Sequence, residues 1–239
     1  MSALMPTQGT PKQPIRLAVF LSGSGSNFEA LAQAIETGEI PNAQIALVVS
    51  NKPQAYGLIR AEQRGIPRLV MNPKAFSTPE AFDTEVVQHL KTFEIDLIVL
   101  AGYLKILTPM LIQPYKNRIL NIHPSLLPAY GGKGMYGLNV HQAVIDNQEI
   151  QSGCTVHLVS EGIDEGPILA QSVVTVLSKD TPESLAERVL AAEHVLLPQT
   201  LKGYLTGAFP EFYSSPDLYA SPDFYSAPSP ALAEDALHL

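Results

Sequence analysis

Cysteine, basic charge and long apolar runs are all scarce in this sequence. Cys154 is the single cysteine among 239 residues, so no disulfide can form within the chain and a thiolate zinc site has no ligands to draw on. A reducing, cytoplasmic setting is expected. No run of about eighteen apolar residues occurs, and the opening MSALMPTQGTPKQP lacks the basic and then apolar order of a secretory signal. Neither a membrane span nor export is expected. Fifteen Lys and Arg against 23 Asp and Glu leave a net charge of −8, which argues against general affinity for nucleic acid but leaves room for a local basic pocket around one small anion. No HExxH or similar ligand cluster appears, so no metal is expected.

What is present is ordinary for a globular chain, with 46% hydrophobic and 16% charged residues and enough length for a substantial core. The two ends stand apart. Residues 1–14 hold Pro6, Pro11 and Pro14 without periodicity and read as a disordered leader. From residue 208 to 239 an acidic tail repeats SPD-x-Tyr, ending at Tyr219 and Tyr225, and its five acids (Glu211, Asp217, Asp223, Glu234, Asp235) meet no Lys or Arg. Pro, Ser and acid cannot bury enough apolar area to offset ordering entropy, so this tail too is expected to be disordered, with any partner unknown.

Between residues 15 and 207 short apolar runs alternate with helical patterns. Strands are expected at Ile15–Leu21, Gln44–Ser50, Arg68–Met71, Asp96–Ala101, Arg118–Ile122, Cys154–Ser160 and Ile168–Val176. The early ones are continuously apolar, as a parallel sheet covered on both faces requires. Helices fit Asn27–Thr37, Ala55–Arg64, Pro79–Phe93 and Val140–Asn147. A last one is capped by Thr181 and Pro182 and bent at Pro198. The order predicts an α/β fold, a doubly wound, mostly parallel sheet of about seven strands in a single domain. Ligands of such sheets bind beyond the carboxyl ends of strands.

Two of those ends carry chemistry. Ser22-Gly-Ser-Gly-Ser-Asn27 passes straight from strand to helix and offers free amides at a positive helix end, a phosphate cradle. It lacks the third glycine of a dinucleotide fingerprint and the Gly-Lys of a P-loop. In Asn121-Ile-His123-Pro124 the amide and imidazole project to one face and Pro124 stops the ladder. Such a pair can donate to one developing oxyanion, with the histidine able to deliver a proton. The bland reading, a structural histidine, is weaker here because of the rigid setting. In the turn Glu161-Gly-Ile-Asp164-Glu165, one carboxylate could hold that imidazole as a cation, and residue type alone does not choose among the three. His89 and His238 are poor candidates and His141 reads as structural. His157 could support the site from behind, Glu193 and His194 form a surface pair by default, and Cys154 reads as a buried apolar residue.

Taken together, LSGSGSNFEAL, VSNKPQAYGLIRAEQRGI, VLAGYLKIL, NIHPSLLPAYGG, GCTVHLVSEGIDEGPIL and AAEHVLLP, in this order between about residues 15 and 207, make the chain resemble the phosphoribosylglycinamide formyltransferase family. The resemblance implies transfer of a formyl group from 10-formyltetrahydrofolate to the amine of phosphoribosylglycinamide in purine biosynthesis. It implies catalytic roles for Asn121, His123 and Asp164, and ribonucleotide contacts at Gly25, Ser26, Asn27 and Glu193. Folate contacts fall on Leu104, Lys105, Ile106, Leu107 and Asn121. Two departures stand out. The resemblance puts the family's basic residue near the folate on Pro79, leaving Lys105, Lys74 or another base to meet a folate carboxylate, and the stretch 131–137 is longer than in shorter bacterial relatives. Alternatives are formyltetrahydrofolate hydrolase and methionyl-tRNA formyltransferase, which share HPSLLP but add domains that the flanking segments here do not resemble, and a non-catalytic folate or nucleotide sensor.

Overall fold

A computed structural model describes residues 13–212. Most of the expected leader and the whole SPD-x-Tyr repeat lie outside the described residues. Seven strands form one sheet in the order β3-β2-β1-β4-β5-β6-β7. They are β1 (Ile15–Leu21), β2 (Ala43–Ser50), β3 (Arg68–Val70), β4 (Leu97–Leu100), β5 (Ile119–His123), β6 (Gln151–Leu158) and β7 (Ile168–Thr175). The first five run parallel, and β6 pairs antiparallel with both β5 and β7. Burial explains the division, because β1, β2 and β4 are apolar on both sides and covered by helices, whereas β7 alternates exposed and half-buried residues as a sheet margin does.

The helices are α1 (Ser26–Glu36), α2 (Tyr56–Gln63), α3 (Pro79–Thr92), α4 (Pro109–Ile112), α5 (Leu138–Asp146) and α6 (Pro182–Leu205). One buried cluster joins α1, α2, α5 and α6 to one side of the sheet, and a second joins α3 and α4 to the other. Strand order reverses between β1 and β4, and this reversal opens a crevice at their carboxyl ends. Local chemistry sets the helix ends. Thr78 accepts from the Ala81 amide ahead of α3, and Thr181 with Ser184 forms a reciprocal capping box ahead of α6. α6 continues past the expected bend at Pro198, which is buried within it.

The differences from the sequence reading are local. β6 begins at Gln151 rather than Cys154, because Gln151, Ser152 and Gly153 lack strand propensity but pair with Thr175, Val174 and Val173 of β7. The expected tail starts too early at 208. Phe209 and Phe212 pack on the larger core cluster, Asn117 Nδ2 donates to the Phe212 carbonyl at 3.3 Å, and residues 210–212 form a short 3₁₀ turn. Truncation tests this boundary. A chain ending at residue 207 should melt several degrees below one ending at 212, since it loses two packed aromatic rings of about 1 kcal/mol or more each. Equal melting temperatures by calorimetry would show that the two rings add nothing.

Candidate active site

The loop after β1 is held by glycine packing and by one hydroxyl. Ser22 Oγ donates to Asn51 Oδ1 at 2.6 Å and accepts the Leu104 amide at 2.9 Å, which ties together the segments that follow β1, β2 and β4. Gly25 adopts φ +72°, and a Cβ there would lie 2.5 Å from Gly57 Cα. Glycine at 25 is therefore demanded by the α2 N-terminus as well as by left-handed backbone, so substitution there disturbs the fold before it reports on any ligand. Gly25 caps α1 without a side chain, and the first helical bond runs from the Glu29 amide to the Gly25 carbonyl. The amides of Ser26, Asn27 and Phe28 precede that bond, which is the arrangement that receives anions. Asn27 Nδ2 donates to Glu193 Oε2 at 2.6 Å, while Asn27 Oδ1 is buried without a partner. Burial raises the Glu193 carboxyl above the usual range, opposed by that hydrogen bond. Glu193 is thus a buried partner of the cradle rather than half of a surface pair.

The strand register assembles the second part. Asn121 pairs with His157 and His123 with Thr155 across β5 and β6, so all four side chains share one face. His157 Nδ1 lies 2.9 Å from the Leu158 carbonyl, an oxygen that can only accept. In the neutral ring Nε2 is then the acceptor for Asn121 Nδ2, at 3.0 Å. His123 Nε2 likewise donates to the Tyr130 carbonyl at 2.9 Å, which leaves Nδ1 facing Asp164 Oδ2 at 3.6 Å. That separation suits ion pairing and exceeds a hydrogen bond. Asp164 Oδ1 is 3.7 Å from His157 Nε2, and Asp164 Oδ2 accepts the Gly132 amide at 2.9 Å.

Burial alone would raise the Asp164 carboxyl, but His157, His123 and the Gly132 amide together hold it below the usual carboxylate range. His123 moves against expectation. Burial lowers its pKa, and the upward pull of Asp164 and of the Tyr130 carbonyl does not make up the difference. The free site therefore does not keep this imidazole cationic.

The geometry resolves the acid left open by residue type. Asp164 reaches the imidazole, whereas Glu161 accepts from Gln113 at 3.3 Å. His141, read as structural, is buried, lines the cavity and has an unpartnered Nδ1. No sequence signal marked it beyond its place in the first turn of α5. Cys154 is fully buried, its thiol pushed up to about 12 by burial, which keeps it protonated.

One cavity of about 750 Å³ brings these groups together. Gly25, Ser26, Asn27, Asn121, His123, Asp164 and Glu193 all line it, as do Leu104, Lys105, Ile106, Leu107 and part of the stretch 131–137. Leu104 and Ile106 are more than half exposed, while Leu107 anchors them in the core. Lys105 departs from expectation. Its ammonium sits 2.8 Å from the fully buried Asp83 and over the Phe82 ring, and Asp83 also accepts the Thr108 amide at 2.6 Å. That charge holds the 104–108 segment in place and is not free for a ligand. Pro79 and Lys74 are absent from the lining.

Comparison with known proteins agrees with the fold. Residues 15–201 match the formyl transferase family. The chain is 47% identical over 192 residues to the chloroplastic phosphoribosylglycinamide formyltransferase of Arabidopsis thaliana, covering 79% of this chain and 65% of that one. It is 42% identical over 193 residues to the trifunctional purine biosynthetic protein adenosine-3 of Drosophila melanogaster, covering 80% and 14% respectively. It thus spans less than two thirds of either relative. The crystal structure of phosphoribosylglycinamide formyltransferase from Brucella melitensis superposes with a TM-score of 0.73 at 46% identity, covering 80% of this chain and 95% of that one.

The tuning of His123 is directly measurable. Asp164→Asn removes the charge that raises the imidazole pKa, so the His123 titration followed by NMR should move to lower pH. An unmoved titration would mean that Asp164 does not act on His123.

Proposed function

The chain belongs to the formyl transferase family, and on that premise we propose that it transfers the formyl group of 10-formyltetrahydrofolate to the amine of phosphoribosylglycinamide, in the cytoplasm, as a step of purine synthesis. The observation that carries this reading is the meeting of Asn121, His123 and Asp164 in the same cavity as an uncapped helix N-terminus and an exposed apolar segment. A phosphorylated amine and a flat apolar donor can lie there side by side. The cavity volume falls within the range of small-molecule sites.

The residues fit both ligands. The amides of Ser26 to Phe28 suit a phosphate, and the unpartnered Asn27 Oδ1 and the Glu193 carboxyl are acceptors for ribose hydroxyls. Leu104 and Ile106 offer apolar surface to a folate ring, held rigid by Ser22, Asp83 and Lys105. With Lys105 committed to Asp83, its part is to position that segment. The folate supplies the activated formyl carbon.

An amine is already a competent nucleophile, so direct attack needs no covalent link to the enzyme. Its nitrogen bonds to the formyl carbon, the bond from that carbon to the folate nitrogen breaks, and the proton lost by the amine ends on the folate nitrogen as tetrahydrofolate leaves. Asn121 has one amide hydrogen on His157 and a second left to donate. His123, once protonated, carries a hydrogen on the nitrogen that faces Asp164. Both groups can therefore meet an oxygen that gains negative charge, and a pair of such donors is worth roughly several kcal/mol in a site shielded from water.

His123→Ala should lower kcat by about a hundredfold or more in formation of formylglycinamide ribonucleotide, with an unchanged melting temperature. Near-normal turnover would remove His123 from the reaction. Failure of the unaltered protein to formylate phosphoribosylglycinamide would remove the reading itself.

A further inference from the structure

The charge around the cavity does not match what it is proposed to hold. Both ligands are anions, yet the Lys, Arg, Asp and Glu side chains of its lining are Lys105 and Lys133 against Glu161, Asp164 and Glu193. Lys105 is neutralised by Asp83 at 2.8 Å. Lys133 is exposed and forms no ion pair among the described residues. A helix N-terminus contributes only about half a unit charge, so a phosphate dianion on α1 alone would remain largely uncompensated.

The backbone around Lys133 is built rather than loose. On one side the Gly132 amide donates to Asp164 Oδ2, and on the other Asn139 Nδ2 donates to the Gly134 carbonyl at 3.1 Å. The Met135 amide closes a turn on the Gly132 carbonyl at 3.1 Å. Gly132 and Gly134, on either side of the lysine, have φ of +91° and +90°. The turn leads into α5, which packs on α6, and α6 packs on α1 and carries Glu193 next to Asn27. These helices belong to one core cluster, whereas Tyr103 and Leu107, which anchor the apolar segment, belong to the other. Lys133 therefore opens from the wall that includes the phosphate cradle.

We propose that Lys133 is a substrate-binding residue whose ammonium recognises the phosphate of the ribonucleotide, adding the full positive charge that the α1 N-terminus lacks. This rests on the function proposed above. It gives the 131–137 stretch a purpose, since the turn that orders Asp164 through Gly132 also presents the phosphate-binding cation on the next residue. Phosphate recognition and the carboxylate beside His123 are thereby joined by a single peptide unit.

The test compares the unaltered protein with Lys133→Met and Lys133→Arg. Measurements are the dissociation constant of phosphoribosylglycinamide by calorimetry without folate, and KM for each substrate. Lys133→Met should weaken the ribonucleotide roughly tenfold to a hundredfold, the range for losing a charge-assisted hydrogen bond, and leave KM for the folate donor within about twofold. Lys133→Arg should retain most of the affinity. The dephosphorylated glycinamide riboside should bind the unaltered protein and Lys133→Met equally. Equal ribonucleotide affinity in Lys133→Met and the unaltered protein would overturn the proposal. A rise in the folate KM instead would also overturn it, assigning Lys133 to the folate carboxylates. If the unaltered protein forms no formylated product, the function proposed above fails first; if it does and Lys133→Met is silent, only the role of Lys133 fails.

Discussion

The candidate site is organised by one half-buried carboxylate. Asp164 lies in the connection between β6 and β7, in left-handed backbone at φ +59°, and no neighbour in sequence supplies its partners. It faces His123 at the end of β5, His157 within β6 and the Gly132 amide of the turn before α5. Three segments far apart along the chain therefore converge on two oxygens. The Gly132 amide donates a hydrogen bond to the carboxylate, and both imidazoles stand close enough to pair with it whenever they carry a proton on the facing nitrogen.

That carboxylate sets the character of His123. A carboxylate neighbour by itself raises a histidine's pKa, but here burial outweighs that attraction and the balance is downward. For the proposed chemistry the outcome is useful. A pre-formed cation would hold solvent or anions in the ground state, whereas an imidazole poised below its ordinary pKa gains its proton most readily when negative charge grows beside it. The interaction is then stronger in the transition state than with the substrates bound, which is the condition for raising kcat rather than merely tightening binding. Asp164 limits the cost of that protonation without removing it.

The fold was largely legible because its signals are local. Continuous apolar runs announced β1, β2 and β4, helical periodicity and caps announced α1, α3 and α6, and Pro124 marked where the β5 ladder stops. The small-residue loop after β1 and the Asn121–His123 pair were legible for the same reason, each being a few residues at a strand end. What could not be read depends on pairing across the chain. Gln151–Gly153 joins a strand only through β7. His141 shows its place in the cavity wall only once α5 is docked. Lys105 looked like a free cation until α3 brought Asp83 to it from 22 residues away. Desolvation of His123 has no sequence signal at all, since it measures how much of the fold surrounds the ring.

The same division fits the proposed transfer, which asks for no enzyme nucleophile. Cys154 is buried with its thiol held neutral, and the Ser125 hydroxyl donates to the Ala129 carbonyl at 2.6 Å, inside the loop that follows His123. Both are spent on structure, and the cavity wall is given instead to donors, acceptors and apolar contact. Such a site has orientation and electrostatics to offer. Holding an amine against an activated formyl carbon recovers much of the entropy cost of a bimolecular encounter, of the order of several kcal/mol. Two cavity walls on opposite core clusters, joined at the strand-order reversal and wired by Ser22, suit that task, because each can hold one ligand rigidly while His123 and Asn121 stand at the seam.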